Sequence, residues 1–123
     1  MDWPVEQHLV PIFQEENYRL LLQKQLLKDF TASGLFLPRE IETETLSLTE
    51  LFNLVQEQVV LQLEKGERQT LSLLYAVDIP EKKFLKILGE ADFAHVLTQT
   101  IIEREAQKIY FRVNFSSPPS DEN

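Results

Sequence analysis

The chain has 123 residues, with 20 Asp and Glu against 12 Lys and Arg and a formal charge of −8. Three glycines and no cysteine exclude a disulfide framework, a thiolate metal site, a cysteine nucleophile and the Gly-rich loops that cradle phosphates. A field of this sign repels phosphate backbones at long range, so nucleic acid is a disfavoured partner.

The start Met1-Asp2-Trp3-Pro4-Val5-Glu6 lacks the basic segment and apolar run of a signal peptide. No apolar stretch approaches the ~20 residues of a membrane helix. The expectation is a cytoplasmic protein with no membrane partner.

Apolar spacing along the chain is mostly helical. Pro11 suits a first helical position, where its missing N–H costs nothing. Phe13, Leu20, Leu21, Leu27 and Phe30 then keep a three-to-four spacing up to Gly34, a left-handed cap, which predicts a helix over about 12–32.

Leu35-Phe36-Leu37-Pro38 reads as extended, because Pro38 pushes Leu37 out of the helical region. Ile41, Thr43 and Thr45 alternate with Glu42 and Glu44. That alternation admits a short strand within 35–46, although an ordered loop is the preferred reading.

Ser47 with Glu50 is a capping-box pair. Leu48, Leu51, Phe52, Val55, Val59 and Leu63 follow on one face, and Lys65-Gly66 closes a helix over about 48–64. The next helix carries Leu71, Leu73, Leu74, Tyr75 and Val77, an apolar surface wider than one stripe. Asp78 and Glu81 repeat the capping-box spacing before a short helix. Its expected inward residues are Phe84, Leu85 and Leu88, with Lys82, Lys83 and Lys86 outward and Gly89 as cap. The helices around Asp78–Pro80 suggest a helix-turn-helix, but this short helix has no Arg, Asn or Gln with which to read base edges.

A last helix runs from Ala91 or Asp92 to about residue 113. Residues 109–115 also alternate as a strand would, but the face that begins at Ile102 continues without a breaker. Residues 116–123 form a polar tail. The predicted architecture is all-α: one compact bundle of about five helices within 1–115, joined by short connections.

Reactive constellations are absent from this pattern. There is no Gly-x-Ser-x-Gly nucleophile turn. His8 and His95, the two histidines, lack helical metal-ligand spacing. No catalytic residue, metal or cofactor is predicted, and the enzyme reading that remains uses His95 with a nearby Glu.

Arg104, Lys108 and Arg112 recur every four residues, with Thr100 upstream, so three cations share one helix face. Glu105 lies three residues before Lys108 and can pair with it. This face could serve an acidic protein or, in an alternative reading, an anion or nucleic acid. Phe36, Tyr110, Phe111 and Phe115 cannot all be buried by a single stripe, and Trp3 is near a chain end. Surplus aromatics point to a protein–protein contact. The expected partner is therefore another protein or a second copy in a homodimer. The candidate contact residues are Arg104, Lys108, Arg112, Tyr110 and Trp3.

Overall fold

The computed structural model describes residues 6–115. Trp3 and the polar tail 116–123 lie outside the described residues. A short 3-10 turn, Gln7–Leu9, leads into seven α-helices. These are α1 (Val10–Gln14), α2 (Glu16–Ala32), α3 (Glu40–Thr43), α4 (Leu48–Lys65), α5 (Glu67–Val77), α6 (Glu81–Ile87) and α7 (Phe93–Phe115). The all-helical reading holds among the described residues, but the count of about five is corrected to seven.

Two local events account for the difference. The first is a break in the helix expected over 12–32. Glu15 is extended (φ −88°, ψ 131°), which separates α1 from α2. The break lets Ile12 and Phe13 on α1 face the core together with Leu22, Leu26 and Phe30 on α2. The Arg19 guanidinium bridges it, donating to the carbonyl of Phe13 and, at 3.0 Å, to that of Leu46. A carbonyl orphaned at the end of α1 thereby regains a donor.

The second event is the segment 35–46, which contains α3 and no strand. Its backbone finds partners on a side chain rather than in a ladder. Gln23, fully buried on α2, donates to the carbonyls of Ile41 (3.0 Å) and Glu44 (2.6 Å) and accepts from the Leu46 N–H (2.9 Å). One amide thus satisfies three main-chain groups that a strand neighbour would otherwise have to meet. Leu35, Leu37 and Ile41 are buried beneath.

The α4 start is built as the sequence predicts: Glu50 N–H donates to Ser47 Oγ and Ser47 N–H to Glu50 Oε1, both at 3.1 Å. Gly66, at φ 120°, ends α4 and opens α5. Thr70 Oγ1 donates to the Gly66 carbonyl at 2.9 Å and fastens that corner.

At the end of α5 the expected cap is reassigned. Asp78 does not cap α6, whose N-cap is Pro80; it terminates α5 in the left-handed conformation, φ 74°. Its N–H and that of Ile79 both return to the Leu74 carbonyl, at 2.8 and 2.9 Å. On α6 the inward residues are Phe84 and Ile87, while Leu85 and Leu88 face solvent, which corrects the expectation for the latter two.

α7 is continuous to Phe115, about 34 Å at helical rise, so the strand alternative for 109–115 is not adopted. It is the spine of the fold, packing against α1, α2, α4, α5 and α6. Leu97, Ile101, Ile102, Ala106 and Ile109 are fully buried along it. They meet Val55 and Val59 of α4 and Leu22, Leu26 and Phe30 of α2 in one core cluster. Among the described residues, no helix is long and apolar enough to cross a membrane.

Candidate functional site

Arg104, Lys108 and Arg112 do share one side of α7, and each reaches an acceptor within the fold. Arg104 Nε donates to the Asp78 carbonyl at 3.1 Å, and its terminal nitrogen meets Asp78 Oδ2 at 2.6 Å. The guanidinium therefore clasps the one non-glycine residue held at positive φ among the described residues. This cation holds the exposed Asp78 carboxyl below its ordinary pKa.

Lys108 reaches deeper. Its Nζ lies 2.8 Å from Asp29 Oδ2 on α2, 2.8 Å from Glu105 Oε1 on α7 and 3.3 Å from the Ala76 carbonyl on α5. Gln25 Nε2 donates to the same Asp29 oxygen at 3.0 Å, and Arg112 in turn donates to Gln25 Oε1. Asp78, Ala76, Asp29 and Gln25 thus answer the cation face in order. The repulsion expected of three cations at four-residue spacing is relieved from inside.

Glu105 carries the main electrostatic asymmetry. It is wholly buried, and neither of its oxygens accepts a well-aligned hydrogen bond, even with Lys108 close by. Burial, reinforced by the Asp29 carboxyl beside it, pushes its pKa from 4.5 up to about 9, against the opposing pull of Lys108. Glu105 therefore keeps its proton at neutral pH and can donate it to Asp29. Asp29 moves the other way. Burial would raise its pKa, but hydrogen bonds from Glu105, Lys108 and Gln25 outweigh that and lower it. The pair holds one proton and one negative charge, and Lys108 neutralises the charge.

Tyr110 lies at the other chemical extreme of α7. His8 packs edge-on to it with ring centroids 4.7 Å apart. Phe111 and Phe115 lie 5.6 and 5.8 Å from Tyr110 and 5.7 Å from each other. Phe111 is 51% exposed and Phe115 65% exposed, and Val113 adds exposed apolar surface on the same turns. Together they make an aromatic terminus to the α7 spine. The sequence placed Tyr110 among the contact residues and counted Phe111 and Phe115 as surplus aromatics. It had no signal for His8 beside them.

His95 is exposed, and its ring sits 4.7 Å from that of Phe52. Among the described residues, no group of three or more His, Asp or Glu is placed to hold a metal. Arg104 also lines a hollow of about 390 Å³ with Asp78, Lys83, Thr100 and Gln107. Lys108 and Arg112 turn away from it towards α2.

The chain matches no known protein family, no characterised protein and no solved structure.

Proposed function

We propose that this chain is a non-catalytic binding module that engages another protein through the aromatic end of α7. The observation that carries this reading is the mutual packing of Tyr110, Phe111 and Phe115, with Phe111 and Phe115 each more than half exposed. Tyr110 is partly buried against the core, and leaving Phe111 and Phe115 half in water beside it forgoes part of the burial that is worth about 1.5–3 kcal/mol for a fully covered side chain. A partner surface that covers them recovers that free energy. Aromatic residues at the centre of a patch are also the side chains that most often dominate an interface.

The same helix supports the choice of this end over the cation face. Arg104, Lys108 and Arg112 direct donors at Asp78, Asp29 and Gln25, so an incoming anion would have to compete with partners already in place.

The test is affinity capture from the native cell with the wild-type protein and with Phe111→Asp/Phe115→Asp. Both sites are exposed, so circular dichroism of the variant should match wild type. Loss of one or a few captured proteins from the variant, at equal bait, supports the reading. An identical set from both proteins refutes it.

A further inference from the structure

Among the described residues, an acidic groove and a lysine-bearing helix carry opposite charges and complement each other. The first is a groove between the α3 segment and α4. Glu40, Glu44, Glu50 and Glu57 rim a hollow of about 440 Å³ whose floor includes Leu46 and Leu54. A second hollow of about 610 Å³ adjoins it, sharing Asn53 and Glu57 and ending at Val60 and Leu61. Among the described residues, no Lys or Arg lines either hollow. Leu61 is 46% exposed, so the groove floor runs out into an open apolar patch.

The second surface is α6. Lys82, Lys83 and Lys86 are exposed, and Lys82 and Lys86 stand one turn apart with Leu85 between them. Leu85 is 60% exposed and Leu88 42%. This reverses the sequence expectation for both leucines and gives α6 an outer face of three lysines and two leucines, with Glu81 at its first turn. Among the described residues, none of these three lysines and none of the four groove glutamates makes an ion pair.

We propose that α6 of one copy docks into the α3–α4 groove of a second copy. Leu85 and Leu88 cover Leu46 and Leu54, and Lys82 and Lys86 meet the glutamate rim. The lengths agree: α6 spans about 10 Å, and so does α4 from Glu50 to Glu57. The contact joins two different patches, so it is heterologous and leaves a free groove and a free α6 on the outer copies. This pairing brings the exposed lysines of α6 against the glutamate rim, so opposite charges meet across the contact. A two-turn helix buries too little for a permanent complex, so the association is weak and salt-sensitive.

Sedimentation of the full chain at low and high ionic strength tests this directly. At about 50 mM salt the wild-type mass should rise with concentration towards the millimolar range, and at about 0.5 M salt it should fall back to monomer. Glu44→Lys/Glu57→Lys and Lys82→Glu/Lys86→Glu should each be monomeric at low salt. An equimolar mixture of the two should assemble again. Phe111→Asp/Phe115→Asp should associate as wild type does, which separates this contact from the aromatic end. A wild-type monomer at every concentration, a charge variant that assembles as wild type does, or a mixture that stays monomeric would overturn the proposal.

Discussion

Lys108 on α7 and Asp29 on α2 are 79 positions apart in the chain and meet at 2.8 Å, each with less than a fifth of its side chain exposed. This contact ties the spine helix to its neighbour through the one buried carboxylate of α2. Lys108→Met should remove the cation while keeping the stem, and leave the Asp29 charge unpaired. The expected loss is about 3 kcal/mol in urea unfolding. Adding Asp29→Asn should recover much of it, since the double variant buries no lone charge.

Glu105 gives the fold a measurable pH signature. Its folded pKa, about 9, lies above its ordinary value of 4.5. A raised acid contributes its full stability below pH 4.5, and the contribution drains away as pH climbs from there to about 9. Glu105→Gln keeps a donor towards Asp29 and has no proton to lose. The variant should match or fall below wild type near pH 4 and exceed it at pH 8, with the difference growing between. Parallel stability curves for the two proteins would contradict a buried neutral acid. Asp29, whose pKa is lowered, acts at the opposite limit: its contribution is present above its ordinary value of 3.8 and is lost on acidification below it.

Gln23 should be as consequential as any core leucine. Gln23→Leu leaves the carbonyls of Ile41 and Glu44 and the N–H of Leu46 without their partner. A cost of about 2–4 kcal/mol is expected, because several main-chain groups lose satisfaction together. Amide exchange would report it locally: residues 44–47 should accelerate far more than α4 or α7.

Ser47→Ala should cost about 1 kcal/mol, the usual value of an N-cap hydroxyl. Ser47→Asp should retain most of that stability, since its carboxylate can accept the same N–H. Thermal unfolding of the three proteins checks the order.

What the sequence made legible was local. The face of α4 from Leu48 to Leu63, the Ser47–Glu50 box and the continuity of α7 past Ile102 all depend on spacings of three or four residues. The Glu105–Lys108 pair was readable for the same reason. The acceptors for the α7 cations on other helices were not, because they come from residues 25, 29, 76 and 78. A signal did exist: Gln25 and Asp29 interrupt the apolar positions of α2 at helical spacing beside Leu26 and Phe30. A charge at a core-facing position implies a buried partner. The break at Glu15 and the loop held by Gln23 were hidden for a related reason, since each is stabilised by a side chain donating across the fold. On α6, seven residues are too few for periodicity to decide between Phe84, Leu85 and Leu88, as expected, and Phe84 with Ile87, as found, for the buried side.

The central claim is that this chain works by contact at the aromatic end of α7. Site-specific photo-crosslinking in the native cell tests it most directly. A photoreactive phenylalanine analogue at position 111 should give one or a few discrete adducts, while the same group at the exposed Lys24 on α2 gives none. Equal adducts from both positions, or none from position 111, would contradict the account.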